Sequence, residues 1–252
     1  MTSPLLTSLE RGVLTLTLNR PTKRNALNAE LIEVLHGSLE RADLDSDVRV
    51  IMLRGAGKDF CAGADLDELL ASINHTIDEN EAAALRLGSL FELVRTIPKP
   101  VLALVRGRAL AGGAGLATAC DLVIAAAGAQ LGYPEIQRGF APAMVMALLR
   151  RTVGEKVALD LVLTGRVLSA DEAQRVGLVT RVLPDSDLEQ GTMSLAAELA
   201  QSSASALAFT KQLFYQLEGE TFADGIARGA RVNAVARGTP DFHDAIARFL
   251  RK

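Results

Sequence analysis

Residues 101–126 read VLALVRGRALAGGAGLATACDLVIAA, and this stretch decides the fold class. Pro98-Lys99-Pro100 closes a preceding helical pattern and opens the apolar run Val101–Val105, because prolines disfavour helix both at and just before their own position. An unbroken apolar run of this length reads as a strand buried on both faces. A glycine-rich loop, Gly107 to Gly115, follows. Ala111 to Ala119 is then small and apolar enough for a helix buried on all sides, and Leu122 to Ala126 reads as the next buried strand. Strand, glycine loop, buried helix and strand make an α/β protein. Arg106, Arg108 and Asp121 interrupt the region, so no uncharged run approaches the ~20 residues of a membrane span.

The same order occurs upstream. Val48 to Leu53 is a short apolar run, a second glycine-rich loop covers 55–63, and helical patterns fill roughly Asp65 to Ile97. The two units share no sequence self-similarity, so they repeat an architecture and not a motif. Further out, Val13-Leu14-Thr15-Leu16-Thr17-Leu18 alternates as a strand that ends at Asn19-Arg20-Pro21. From Asn28, a helix N-cap, Leu31, Val34, Leu35, Leu39 and Ala42 recur at helical spacing. Downstream the pattern is helical at 142–151 and 155–163. Ser169 and Glu172 have capping-box spacing, and a short strand from Leu178 to Leu183 ends at Pro184. From about Leu195 three helical stretches remain, the last carrying Phe242, Ile246, Phe249 and Leu250 on one face. The expected division is a core over 1–194 that holds the site and a helical region over 195–252 whose apolar faces need a second surface to cover them.

The chain has 252 residues, 49% hydrophobic and 23% charged, which suits one folded unit with an appendage. Its 27 basic and 30 acidic side chains give a net charge of −3. No global positive field therefore recruits nucleic acid or an anionic membrane, and any anionic ligand needs a local basic patch. Cys61, Cys120, His36, His75 and His243 are too scattered for a zinc or iron–sulfur site. A histidine-based nucleophilic triad is equally poorly supplied, since each histidine sits in a helix-like segment. The first residues show no basic segment followed by an apolar one, so a cytoplasmic location is the default expectation.

Chemistry must then come from carboxylates or main-chain groups. The loop 55–66, GAGKDFCAGADL, fails as a P-loop, because Met52 stands where the leading glycine belongs and Asp59 where the Ser/Thr belongs. The loop 107–115 contains Gly-x-Gly but puts Thr118 at the last glycine of the dinucleotide fingerprint. Both loops set small residues between a buried strand and a helix, where unpaired N–H groups point outward. Two readings stand: the glycines merely permit tight packing, or two amides converge into an oxyanion hole.

Asn19-Arg20-Pro21 with Asn25-Ala26-Leu27, Phe60-Cys61-Ala62-Gly63-Ala64-Asp65-Leu66, and Ala111-Gly112-Gly113 ending in Ala119-Cys120-Asp121 are followed by Pro134-Glu135, Gly165-Arg166 and Ala173 to Val179. This ordered set resembles the enoyl-CoA hydratase/isomerase (crotonase) family over essentially the whole chain. The resemblance implies a crotonase-like α/β spiral of β-β-α units, a C-terminal helical trimerisation region, a homotrimer or a hexamer of stacked trimers, and an acyl-CoA substrate. It places the two oxyanion-hole amides on Ala64 and Gly112 and a glutamate acid–base on Glu135. Coenzyme A belongs to the substrate, so no separate cofactor and no metal is implied.

The family's hydratases carry a second glutamate, and that position is Gly115 here. Water addition is easiest with two carboxylates, whereas a 1,3-proton shift needs one. The resemblance therefore implies a Δ3,Δ2-enoyl-CoA isomerase. The alternatives are an enoyl-CoA hydratase and a catalytically silent acyl-CoA-binding scaffold. From the residues alone, Glu135 is a helix-start carboxylate after Pro134. Asp65 is read as an N-cap and not as a second acid. Tyr133, Phe140, Met144 and Met146 follow or flank Glu135 and have two readings, lining of an acyl pocket or, more often for such residues, simply core; Cys61 and Cys120 are read as buried hydrophobes. Lys23, Arg24, Lys58 and Ala62 flank the first motif and loop, where the family meets the nucleotide of coenzyme A. Phe249 and Lys252 resemble the family's C-terminal Phe and Lys, which reach that nucleotide from a neighbouring subunit.

Overall fold

The computed structural model describes residues 3–251. Its strands are β1 Leu5–Glu10, β2 Val13–Leu18, β3 Val50–Gly55, β4 Val101–Val105, β5 Arg108–Leu110, β6 Leu122–Ala126, β7 Gln130–Gly132, β8 Val167–Ser169 and β9 Arg181–Leu183. Its helices are α1 Ala29–Leu44, α2 Leu66–Ala71, α3 Ile77–Thr96, α4 Gly112–Ala119, α5 Ala143–Thr152, α6 Glu155–Thr164, α7 Ala170–Arg175, α8 Leu188–Gln201, α9 Ala204–Gln216, α10 Phe222–Ala236 and α11 Pro240–Leu250. Among the described residues, no helix is long and apolar enough to cross a membrane.

Six strands form one sheet in the order β1-β2-β3-β4-β6-β9, and three form another in the order β5-β7-β8. β1 and β2 are antiparallel, while β2, β3, β4, β6 and β9 run parallel. Each turn of the spiral sends a long strand to the first sheet and a three-residue strand to the second: β4 then β5 then α4, and β6 then β7. The segment after β3 follows the same path, with Cys61 bridging Ala109 of β5. The expected β-β-α spiral is present.

The helix and strand readings hold for the reasons given by their patterns. Asn28 caps α1 by accepting from the Leu31 amide, and Ser169 with Glu172 forms the full capping box of α7. All eight residues of α4 are buried. Four strands were not legible. β5, β7 and β8 have three residues each, too few for periodicity, and the strand expected over Leu178–Leu183 is shorter, Arg181–Leu183. β1 pairs on one side only and buries one residue, Leu5, so it shows no alternation.

The division at 194/195 needs correction. α8 runs unbroken through it and buries Leu188, Thr192, Leu195, Ala196 and Ala200 against the large sheet. α8 is therefore part of the core. The helices whose apolar faces remain open begin at Ala204: α9 buries only Lys211, and α10 and α11 bury nothing.

Lys211 joins α9 to the core. Its Nζ lies 2.7 Å from Asp121 Oδ2 and donates to the carbonyls of Val94 at 2.8 Å and Lys99 at 3.0 Å. Asp121 also accepts from the Val101 amide and from the Tyr215 hydroxyl, over which Arg95 stacks at 4.1 Å. Burial pushes Asp121 up and Lys211 down, each toward its neutral form, and the pair's mutual attraction opposes both shifts. Removing one partner strands the other charge in the interior. Lys211→Met is expected to lower unfolding free energy by about 3–5 kcal/mol in urea titration. Asp121→Asn in that background is expected to restore part of the loss.

Candidate active site

The two glycine loops lie side by side. Phe60 N–H donates to Arg106 O at 2.8 Å, Cys61 N–H to Arg108 O at 3.0 Å, and Leu110 N–H to Cys61 O at 3.0 Å. The approach is so close that a Cβ on Gly113 would overlap the Cys61 carbonyl and lie 2.7 Å from its side chain. Gly63 has φ +103°, and a Cβ there would lie 2.9 Å from Ala111 Cβ and 3.7 Å from the Gly112 nitrogen. Only glycine suits both positions.

Ala111, just before α4, takes φ 51° and ψ −127°, a conformation costly for a residue with a Cβ. It is held there by its own N–H donating to Gly132 O at 2.8 Å, which ties the turn to β7. On the other loop, Leu27 N–H donates to Gly63 O at 2.8 Å and Asp65 N–H to Leu27 O at 2.9 Å. Ala64 sits between these bonds, with its own N–H directed away from Leu27. Among the described residues, no protein acceptor takes the N–H of Ala64 or of Gly112. Two amides without a protein acceptor thus lie on adjoining turns, the arrangement that an oxyanion hole requires.

Arg20 locks this arrangement from outside. It pairs with Asp65 at 2.7 Å and donates to the Ala26 carbonyl at 2.5 Å. Asn25, fully buried, donates to the carbonyls of Ala56 and Asp59 and accepts from the Arg20 amide. Asp65 caps α2 through the Asp67 amide at 2.9 Å, as expected. The sequence pattern assigns Arg20 no role. Its partner is 45 residues away, which spacing does not reveal.

Glu135 lies in the 3-10 turn Pro134–Arg138, which Gly139 ends in a left-handed conformation at φ 69°. The residue is 8% exposed, and its Oε2 is buried with no hydrogen-bond partner. Burial raises its pKa, with its own amide and the Arg138 charge opposing in part. The neighbouring polar pair is self-contained, since the hydroxyls of Thr118 and Tyr133 bond each other at 2.7 Å. Glu135 is thus a buried carboxyl with an oxygen to spare, the state expected of an acid–base group.

Gly115 is packed, not empty. A Cβ there would lie 2.6 Å from Val145 Cγ1 and 2.9 Å from Phe91 Cζ, so no glutamate fits without moving both. Cys61 and Cys120 are buried as expected, and burial pushes the Cys61 thiol up to about 12 and the Cys120 thiol higher. Of the aromatic and methionine residues that flank Glu135, Tyr133 is fully buried and Met144 packs against the core, whereas Phe140 and Met146 are 51% and 39% exposed. For those two the core reading is corrected to surface positions.

The segment carrying Lys23 and Arg24 packs on the first loop, with Ala62 N–H donating to Arg24 O at 3.0 Å. Arg24 and Lys58 are exposed and have no acidic partner among the described ion pairs, whereas Lys23 is paired with Asp67 at 2.6 Å. Ala62 is half-buried between them. Phe249 lies on α11, which packs against α9, and is 76% exposed; the hydrogen bonds joining the two loops do not involve α11. Lys252 lies outside the described residues.

A family model described as enoyl-CoA hydratase/isomerase matches residues 8–252. The chain belongs to the enoyl-CoA hydratase/isomerase family. Its similarity extends to a Thermus thermophilus protein provisionally named as an enoyl-CoA hydratase, 42% identical over 248 residues and 98% of each chain. The 2,3-dehydroadipyl-CoA hydratase of Escherichia coli is 36% identical over 256 residues, covering 99% of this chain and 96% of that one. Among solved structures, an enoyl-CoA hydratase of Mycobacterium smegmatis superposes with a TM-score of 0.95 at 31% identity, covering 98% of this chain and 96% of its own.

The raised pKa of Glu135 gives this family member a testable pH signature. Between the ordinary carboxylate value and the raised folded one, the folded state binds more protons than the unfolded chain. Stability therefore falls as pH rises through that window. Glu135→Gln is expected to reduce the fall in melting temperature between pH 4 and pH 8, leaving the part due to Asp121, whose carboxyl burial also raises. An unchanged slope would mean that Glu135 is not a buried titrating group.

Proposed function

We propose that the protein acts on an enoyl-CoA thioester by moving a proton at the carbon beside the carbonyl. The Ala64 and Gly112 amides hold the developing enolate oxygen, and Glu135 is the acid–base group. Their placement supports this reading: donors with no other acceptor on one side, and a buried carboxylate with a free oxygen on the other. The amides act where charge develops, so their contribution falls on the transition state.

For the reaction itself, the filled space at Gly115 favours double-bond migration. Glu135 removes a proton from the carbon between the thioester and the double bond, and the negative charge spreads over the enolate. The same carboxyl returns the proton two carbons further on. One carboxylate completes the cycle, with no net acid, base or redox partner, and no cofactor beyond the coenzyme A of the substrate is required.

Hydration of a 2-enoyl-CoA is the second reading, and the names of the relatives favour it over migration. The E. coli relative is named for hydrating 2,3-dehydroadipyl-CoA. In this reading Glu135 alone both activates water and protonates the carbon beside the carbonyl.

Arg24 and Lys58 are proposed to meet the phosphates of coenzyme A, with Ala62 giving the nucleotide close main-chain access. Lys23 contributes once its ion pair with Asp67 opens. The exposed apolar side chains Phe214, Phe222, Ile226, Phe249 and Leu250 support self-association through the C-terminal helices into a trimer or a pair of trimers, with Phe249 and Lys252 offered to a neighbouring site.

Supplied separately with 3-enoyl-CoA and 2-enoyl-CoA, the enzyme is expected to convert the first faster by migration than the second by hydration. Hydration faster than migration would select the second reading. Glu135→Gln is expected to lower the favoured rate by about 10²–10⁴-fold, and equal rates would remove Glu135 from the mechanism.

A further inference from the structure

Phe91 and Val145 hold a position that the proposed chemistry does not explain. Gly112 and Gly115 stand one turn apart on α4, on the same face. Leu87 and Phe91, one turn apart on α3, lie over that face. Leu87 Cδ2 is 3.4 Å from where a Gly112 Cβ would be, and Phe91 Cζ is 2.9 Å from where a Gly115 Cβ would be. Val145 of α5 reaches the same point from the other side, with Cγ1 at 2.6 Å. The face of α4 that carries Gly112 is thus covered, one helical turn further on, by hydrocarbon. Phe91 and Val145 are 4% and 3% exposed, so neither is available for surface contacts.

A side chain missing from a helix commonly leaves a void, and a void beside polar groups takes up water. Neither occurs here. The two side chains fill the space beside Gly115, and the polar atoms one turn beyond, Thr118 Oγ1 and Tyr133 Oη, are bonded to each other. A water positioned there would meet the hydrocarbon of Phe91 and Val145 and, one turn beyond, two hydroxyls already engaged with each other.

We propose that Phe91 and Val145 determine which reaction the site runs: by occupying the place beside the acyl chain from which a second group could hold a water, they leave the 2-enoyl thioester without a nucleophile at its third carbon, and double-bond migration through Glu135 is the reaction that remains. This rests on the migration reading above and adds the residues that enforce it. Migration breaks one C–H bond and forms another with the same proton, so excluding water costs the cycle nothing. Water addition to the double bond needs a nucleophile oriented by an acceptor, and hydrocarbon at this point denies it one.

The quantity to measure is the ratio of hydration rate to migration rate for a short 2-enoyl-CoA and its 3-enoyl isomer, in the full-length chain. Val145→Thr keeps the shape and puts a hydroxyl at the packed position; Val145→Ala opens it. Both are expected to raise the ratio at least tenfold over the unsubstituted protein. Should Val145→Ala fold poorly, Val145→Thr decides alone, its fold checked by circular dichroism. A ratio unchanged within twofold in folded Val145→Thr overturns the role of the plug. Predominant hydration by the unsubstituted protein overturns the migration reading instead and shows directly that the plug does not exclude water. Equal loss of both rates, with the ratio constant, marks a packing role only and also overturns the proposal.

Discussion

The contact on which the site depends is that of two main-chain turns too close for side chains between them. The Cys61 carbonyl lies against Gly113, and Gly63 lies against Ala111. This closeness draws the Ala64 and Gly112 amides into one neighbourhood, and each turn is fixed to a different part of the fold. The first is held through Leu27, Arg20 and Asp65, and the second through Gly132 of β7. Donors fixed before the substrate arrives need no reorganisation when charge develops. The unusual backbone of Ala111 is held by its N–H bond to Gly132 O and by the close approach of Gly63.

The spiral topology relates Glu135 to the Gly112 turn. α4 follows β5, and the turn bearing Glu135 follows β7, its parallel neighbour in the small sheet. The start of α4 and the turn bearing Glu135 thus leave neighbouring strands, tied together by the Ala111 N–H bond to Gly132 O. In the proposed mechanism the chain needs few of the residues that usually mark catalysis, since glycine and alanine main chain supplies the electrophilic half and one acid among 30 supplies the other. The net charge of −3 does not oppose an anionic ligand, because Arg24 and Lys58 lie free beside the first loop.

Much of this was legible beforehand because it rests on local patterns. Unbroken apolar runs marked β3, β4 and β6, caps marked α1 and α7, and small residues marked α4 as wholly buried. The ordered motifs brought the family and the expected site into view. What escaped was non-local or too short. β5 and β7 are three-residue strands whose pairing is fixed by neighbouring units of the spiral. The Arg20–Asp65 and Lys211–Asp121 pairs span long separations, and α8 looks like part of the C-terminal helices until its packing on the large sheet is seen. The glycine at 115 signalled a missing carboxylate, but the side chains that fill its place come from two other helices, α3 and α5, and no spacing announces them.

The central claim is that Glu135, facing an enolate held by two amides, removes a proton from the carbon beside a thioester carbonyl. The most direct measurement is deuterium incorporation at that carbon when a saturated acyl-CoA is incubated with the enzyme in D2O, followed by mass spectrometry. This isolates proton removal from both migration and hydration. The account predicts steady incorporation with the native enzyme and at least a hundredfold slower incorporation with Glu135→Gln. Equal incorporation by the two proteins, or none with the native enzyme although it binds the thioester, would contradict it.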